Sequence, residues 1–142
     1  MATNTKGTPA RQDPRQVSNT IKRVLNFNDA DASKAPLGIL PNGSPLPAGA
    51  FITSVVVQTV TAFNAATTNQ LSVGTSTITN NVVSAADVAL NSATVTSVTR
   101  GYGNSVVGNA DTQLYAIYTQ SGTAATAGQA VIVITYEGGW SN

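Results

Sequence analysis

The sequence predicts an all-β protein, built as an antiparallel sandwich or barrel. Segments rich in β-branched and aromatic residues recur along the 142-residue chain. Turn signals containing Gly or Asn separate these segments at short intervals. Residues 84–90 are compatible with a short helix, in which Ser84 is the N-cap and Asp87 completes a weak capping box. We therefore expect six or more short strands and at most one short helix.

An extended N-terminal arm is predicted over residues 1–16, and the folded β domain over residues 17–142. Thr, Gln and Arg alternate in the arm without hydrophobic periodicity, and Pro9 and Pro14 oppose a helix there. Such a segment buries too little apolar surface to offset its ordering entropy, so we expect it to become ordered against a partner. It lacks the apolar core of a signal peptide, which predicts a protein made in the cytoplasm.

The first strand is expected from Val17 onward, directly after the arm. A turn-rich passage follows over residues 28–49, where an Asn-Gly pair and closely spaced prolines favour turns and extended backbone. The strongest strand prediction covers residues 51–63, because ten of these thirteen residues are β-branched or aromatic. Neither of the two alternating faces of this strand is purely apolar.

Shorter strands are expected further along the chain, over residues 70–73, 94–100, 113–119 and 129–136. The last of them contains Ala130-Val-Ile-Val-Ile-Thr-Tyr136, which has high β-propensity, no charge and no Pro. This is the profile of an aggregation-prone segment. We therefore predict that the strand is buried in the centre of a sheet or within an oligomer.

Charge divides the chain into two unlike parts. Charged residues make up 9% of the sequence, against roughly 25% in a typical soluble domain. Six of the seven basic residues precede residue 35, whereas residues 35–142 contain only Arg100, Asp87, Asp111 and Glu137. A surface with so few ions to desolvate suits close packing against other proteins. The alternative interpretation is a secreted or otherwise low-charge β domain.

The residue inventory excludes much of enzymology. The chain has no His and no Cys, which removes Ser-His and Cys-His catalysis, thiolate metal sites and disulfides. Asp29 and Asp31 form an Asp-x-Asp pattern, but no later acid completes a cation-binding loop, so a solvated turn is expected. The three acids of the body belong to no recognisable catalytic motif. We predict no catalytic, cofactor or metal site and no enzymatic activity.

Basic residues near the N-terminus are the candidate contact residues for a protein partner. Arg11, Arg15, Lys22 and Arg23 are expected to meet acidic groups, and Trp140 is a candidate packing anchor. Nucleic acid is not an expected partner, because the charge of the arm is modest and no aromatic residue is interleaved for base stacking. A membrane is not an expected partner either, since the longest strongly apolar run is about five residues.

Several short phrases of the sequence resemble small virion proteins of tailed bacteriophages. They are Leu37-Gly-Ile-Leu-Pro41, Leu46-Pro-Ala-Gly-Ala-Phe-Ile-Thr-Ser54, Val55-Val-Val-Gln-Thr-Val-Thr-Ala-Phe-Asn64, Leu71-Ser-Val-Gly-Thr75, Ser84-Ala-Ala-Asp-Val88 and Thr123-Ala-Ala-Thr-Ala-Gly128. The likeness covers roughly residues 20–136 and leaves the arm unmatched. It implies an antiparallel β-sandwich of jelly-roll type and transfers no active site.

The resemblance implies a capsid decoration or cement protein. Such a protein would bind the major capsid protein on the outer surface of the virion, would associate with itself as a homotrimer, and would stabilise the head by straddling neighbouring subunits. Alternatives within the same class are a neck or tail protein or the base of a head fibre. A carbohydrate-binding module is the alternative from another class, and its candidate sugar platforms are Tyr102, Tyr115, Tyr118 and Trp140.

Overall fold

Seven strands in two antiparallel sheets make up the computed structural model, which describes residues 18–29, 35–38, 45–76, 80–98 and 110–137. The strands are β1 (Ser18–Asn26), β2 (Ala35–Pro36), β3 (Phe51–Thr61), β4 (Thr68–Gly74), β5 (Val95–Ser97), β6 (Tyr115–Ser121) and β7 (Gln129–Glu137). One sheet has the order β1-β7-β3-β5 and the other the order β2-β6-β4. The described residues contain no helix, so the all-β sandwich prediction is confirmed.

β7 occupies the centre of the four-stranded sheet, as its sequence requires. It pairs along its whole length with β1 on one side and with β3 on the other. Its inward side chains, Ala130, Ile132 and Ile134, are fully buried in the core. Both backbone edges of this aggregation-prone strand are thus covered by neighbouring strands, which removes it as a template for pairing with another chain.

A β-bulge explains why neither face of the β3 sequence is purely apolar. The pairing with β7 shifts between Ile52 and Ser54, so one residue of β3 has no direct partner there. Before the shift Ile52 points into the core, and after it Val55 and Val57 do. A second shift lies between Thr59 and Thr61. The simple alternation expected from the sequence therefore changes face within the strand.

The hydrophobic core lies between the two sheets and draws on both. From the four-stranded sheet come Ile21, Leu25, Ile52, Val55, Val57, Ile132 and Ile134, and from the three-stranded sheet Leu71, Val73, Ala116 and Tyr118. Loop residues close the ends of this core, among them Leu37, Leu46, Phe63, Val83 and Leu90. One continuous core of this kind identifies the described residues as a single packed sandwich.

Residues 84–90 form a turn rather than the short helix that their sequence allows. The Asp87 carboxylate accepts a hydrogen bond from the Ser84 N–H at 2.7 Å, and the Asp87 N–H donates to the Ser84 carbonyl at 2.9 Å. The Asp87 half of the expected capping box thus forms, but no helical turn follows it. Val88 and Leu90 are buried while Ala89 between them is exposed, which is the two-residue period of extended chain.

The segment after β1 contributes a strand that the sequence does not predict. β2 has only two residues, which pair with Tyr115 and Ala116 of β6. Its pairing continues through the Leu37 N–H, which donates to the Leu114 carbonyl at 2.9 Å. The Gln113 side-chain amide donates to the Leu37 carbonyl at 2.8 Å. Tertiary contacts therefore produce β structure where the local sequence favours turns.

Candidate interaction surface

β1 carries two of the predicted contact residues and forms one border of the four-stranded sheet. Lys22, at the middle of the strand, is exposed and pairs with Val133 of β7. Its neighbours Ile21 and Leu25 face the core. Because side chains alternate along a strand, Lys22 projects from the outer face of the sheet. Its exposed side chain can therefore meet a partner on that face.

Arg23 points the other way, toward the interior side of the sheet. It is partly buried, and its Nη1 donates to the Pro36 carbonyl oxygen at 3.4 Å. This long hydrogen bond links β1 of one sheet to β2 of the other. The buried Nε has no hydrogen-bond partner among the described residues. The geometry therefore gives Arg23 a role within the sandwich, and its role in partner contact stays a prediction.

Three of the predicted contact residues, Arg11, Arg15 and Trp140, lie outside the described residues. The same holds for Asp31 of the Asp-x-Asp pattern and for Tyr102 of the candidate sugar platform. The arm boundary at residue 16 and the part played by these side chains thus stay predictions. Only Lys22 and Arg23 of the basic set can be placed in the fold.

Three of the four acidic side chains among the described residues accept hydrogen bonds from backbone N–H groups in turns and loops. The Asp29 carboxylate accepts from the backbone N–H of Asn26 at 2.8 Å, and the Asp111 carboxylate accepts from the backbone N–H of Ala48 at 3.0 Å. Asp87 closes its own turn in the same way. No group of three or more potential metal-ligating residues occurs in the described part of the chain. Asp29, Asp87 and Asp111 therefore have structural roles, whereas the interpretation of the Asp-x-Asp pattern stays a prediction because Asp31 lies outside the described residues.

Two of the tyrosines proposed as sugar platforms are placed in the sandwich. Tyr118 is buried, its ring packs on Phe63 with 4.6 Å between ring centroids, and its hydroxyl donates to Asn69 Oδ1 at 2.6 Å. Burial raises the pKa of Tyr118 above its ordinary value. Tyr115 is only partly exposed. A stacking platform needs a freely accessible ring, so Tyr118 is not available for one.

The outer face of the four-stranded sheet is rich in valine, and the strand register places these valines side by side. A first row across the sheet consists of Val24, Val131, Gln58 and Val95, and the adjacent row of Lys22, Val133, Val56 and Ser97. Val60 follows Gln58 as an exposed residue of β3. We call the set Val24, Val56, Val60, Val95, Val131 and Val133 the valine face.

Three members of the valine face are exposed, whereas Val56, Val131 and Val133 are partly buried. Val24, Val60 and Val95 are 40%, 45% and 65% exposed. Phe51, near the end of the same sheet, is 47% exposed, and these four are the exposed large hydrophobic residues of the described chain. Contiguous exposed apolar patches on soluble proteins commonly mark interaction sites. All four side chains lie on the outer side of the four-stranded sheet, which makes that side the candidate contact surface.

The outer face of the three-stranded sheet has a different chemistry. Its exposed positions include Gln70 of β4 and Thr119 of β6, which pair directly with each other. Ser72 pairs with Ile117, both partly buried. This face also carries Tyr115 and Ile117, both partly buried, so it is mixed rather than purely polar. It differs from the valine face in that none of its large apolar side chains among the described residues is exposed.

The sequence of β7 contains an indication of the valine face that the prediction of strands does not use. In β7, Val131 and Val133 alternate with Ile132 and Ile134, so both faces of the strand are apolar. In an antiparallel sheet, such a continuous apolar run indicates that both faces are covered. The prediction of a central strand accounts for the inward face only. The outward-facing valines of β7 can be interpreted only from the strand register, which places Val24, Val56 and Val95 beside them.

Comparison with known proteins identifies the fold through solved structures. No protein-family model matches the chain, and no curated protein does. A chain of the cyanophage Pam1 capsid asymmetric unit matches with a TM-score of 0.62 and 19% identity, covering 85% of this chain and 84% of that chain. A chain of the acid-stable capsid of Helicobacter pylori bacteriophage KHP30 matches with a TM-score of 0.59 and 20% identity, covering 87% and 89%.

The protein therefore has the fold of chains found in two bacteriophage capsids. Because nearly all of each matched chain is covered, those chains are close to this one in length. At this level of identity the likeness establishes the fold and assigns no individual residue a role. Within the described residues, no helix is long and apolar enough to cross a membrane.

Proposed function

We propose that this chain is a non-enzymatic structural protein of a bacteriophage virion, and specifically a capsid decoration or cement protein. The observation that carries the proposal is the shared fold with chains of two phage capsids over 84–89% of their length. The match covers most of this chain and most of each capsid chain, and those chains are similar in length to this one. This favours an accessory subunit of similar size. The sparsely charged β body and the valine face favour a protein that works by packing against others.

The proposed mechanism is mechanical. A homotrimer of β-sandwiches sits on the outer surface of the capsid and straddles neighbouring major capsid subunits. Each contact ties two subunits together and resists the outward pressure of packaged DNA. Engaging several subunits at once raises the effective concentration of each later contact, so weak individual contacts combine into firm binding.

In the proposed complex, basic residues of the N-terminal arm and of β1 add further contacts to the capsid. Arg11, Arg15 and Lys22 meet acidic groups of the major capsid protein or of a sister subunit, and Trp140 anchors the other end of the chain. Arg23 joins them only where its guanidinium is not used by the Pro36 carbonyl. These contacts require no nucleic acid, cofactor or metal.

The proposal includes a jelly-roll topology for the sandwich. Val83 forms a bridge with Val73 of β4, and backbone hydrogen bonds of 2.9 and 3.0 Å accompany it. This places Val83 beside β4, where a fourth strand would complete the smaller sheet. Two four-stranded sheets are the arrangement of an eight-stranded jelly roll.

Binding to capsids that lack this protein tests the proposal. Purified full-length chain is mixed with such capsids, and the bound fraction is measured by sedimentation. Saturable binding with a fixed number of copies per capsid is expected. Absence of binding, together with binding to a glycan array, would favour the carbohydrate module instead.

Deletion of residues 1–16 tests the arm separately. The shortened chain should keep the thermal unfolding midpoint of the full chain, because it retains every core residue of the described part of the chain, of which Ile21 on β1 is the first. Its affinity for the capsid should fall and should depend less on salt concentration, because basic contacts are removed. Unchanged affinity would remove the arm from the mechanism.

A further inference from the structure

We infer that the valine face is the surface with which the sandwich contacts a shell subunit of the virion, and that Lys22 lies at the rim of that contact opposite a carboxylate of the partner. This inference rests on the proposed function and assigns it to one side of the molecule. The partner surface that the valine face contacts is an uncharged, apolar surface of the shell subunit with an acidic group at its border.

The chemistry of the face defines the partner. The described charged residues of the outer side are Lys22 on β1 and Glu137 at the end of β7. Lys22 stands in the same row as Val133 and Val56, next to the apolar centre. Its long stem can lie along valine surface while the ammonium group remains at the border of the contact. A carboxylate on the partner would complement this charge.

The size of the face argues against a free dimer as its main use. Four strands spaced about 4.8 Å apart and averaging about eight residues, although β5 has only three, give a face of roughly 500 Å² at about 3.3 Å per residue. Full contact would bury roughly 1,000 Å² over two partners, below the roughly 1,200–2,000 Å² of stable complexes. A shell offers many equivalent sites, so an oligomer can use this modest area repeatedly.

The polarity of the sandwich supports one-sided attachment. The valine face belongs to the β1-β7-β3-β5 sheet, whereas the opposite outer face carries the polar pair Gln70 and Thr119. The exposed large apolar side chains of the described residues lie on the first of these faces, which suits attachment to a shell through that face. Phe51 extends the apolar side toward the end of β3.

A pair of double variants tests the inference. Val24→Asp with Val95→Asp places two short carboxylates on the valine face, where they cannot reach water once the contact forms. The matched control is Gln70→Asp with Thr119→Asp, which adds the same charge to the outer face of the three-stranded sheet. Both variants alter exposed strand positions, and thermal unfolding followed by circular dichroism verifies that both are folded.

The expected result is capsid binding at least about tenfold weaker for the valine-face variant and unchanged for the control. Lys22→Glu should weaken binding more than Lys22→Gln, and high salt should reduce that difference. Equal binding by the valine-face variant and the unaltered chain would overturn this inference alone. Failure of the unaltered chain to bind capsids would overturn the proposed function and this inference with it.

Analytical ultracentrifugation of the free proteins tests whether a second copy of the chain covers the valine face instead. The unaltered chain and the valine-face variant should have the same oligomeric state in solution. Loss of an oligomer in the variant would show that a second copy covers the face, which would overturn the assignment to a shell subunit.

Discussion

Gly128 lies where the chain enters β7, and its replacement by alanine should be strongly destabilising. Its φ is 149°, a backbone conformation that residues with a side chain rarely adopt. A Cβ at this position would lie 2.4 Å from Cδ1 and 2.5 Å from Cγ of the Phe63 ring. That ring is buried against Tyr118 and has little room to withdraw.

The expected cost of Gly128→Ala has two parts. Forcing a non-glycine residue into a sparsely populated conformation costs about 1–3 kcal/mol. Displacing a packed ring in a dense core costs a further ~1–3 kcal/mol. The free energy of unfolding should therefore fall by about 2–6 kcal/mol, as measured by urea denaturation followed by circular dichroism.

Two companion variants separate these parts. Gly122→Ala also has a positive φ, 81°, but its Cβ would meet chiefly the Thr67 hydroxyl, at 2.6 Å, which can rotate away. It should cost less than Gly128→Ala. In a Phe63→Ala background the three close ring atoms are absent, so Gly128→Ala should cost only the conformational ~1–3 kcal/mol. A cost below about 0.5 kcal/mol for Gly128→Ala in the unaltered background would refute the reasoning.

Three further variants test other parts of the structure. Asn64→Ala should lower the free energy of unfolding by about 1–3 kcal/mol, because its Oδ1 accepts from both backbone N–H groups of residues 126–127, at 2.8 and 3.0 Å. Tyr118→Phe should abolish part of the stability loss at high pH. The raised pKa of Tyr118 means that its contribution is fully present below about pH 10 and is lost as pH rises through its folded-state pKa. Arg23→Met should change stability by less than about 1.5 kcal/mol, because it keeps the apolar stem and removes one long hydrogen bond together with a buried, unpaired Nε.

Each of these variants has a control or a contradicting result. Asn64→Asp retains the accepting oxygen and should be less destabilising than the alanine variant; the reverse order would contradict the assigned bonds. A pH profile of Tyr118→Phe that overlays the unaltered protein above pH 10 would exclude Tyr118 as the titrating group. Arg23→Ala should be more destabilising than Arg23→Met, and equal losses would show that the stem of the side chain contributes nothing.

Strand identity could be predicted from the sequence where composition is extreme. The β-branched run of β7 predicts a central strand, and the structure places it between β1 and β3. The long β3 is predicted for the same reason. Its facing is not predictable, because the bulge between Ile52 and Ser54 reverses the alternation, and the bulge depends on pairing with β7.

Long-range contacts account for the other differences. β2 forms at Ala35 and Pro36 because β6 offers a partner strand, and nothing in the local turn-rich sequence signals that pairing. The helix compatible with residues 84–90 yields to burial of Val88 and Leu90 in an extended segment. In both places tertiary packing overrides a weak local preference.

The candidate contact surface was only partly predictable for the same reason. Charge counting singles out Lys22 and Arg23 as equivalent basic residues, yet strand alternation points one outward and the other toward Pro36. The valine face involves four strands that are far apart in sequence. It becomes visible only when the register aligns Val24, Val131 and Val95 in one row.

The central claim, that this chain is a decoration protein on the outside of a phage capsid, is tested most directly by imaging. Cryo-electron microscopy of phage virions assembled with and without the protein would give a difference map. If the protein decorates the capsid, difference density is expected on the outer surface of the shell, across boundaries between capsid subunits, with the valine face toward the shell. Difference density confined to the neck or tail, or none on the virion, would contradict the central claim.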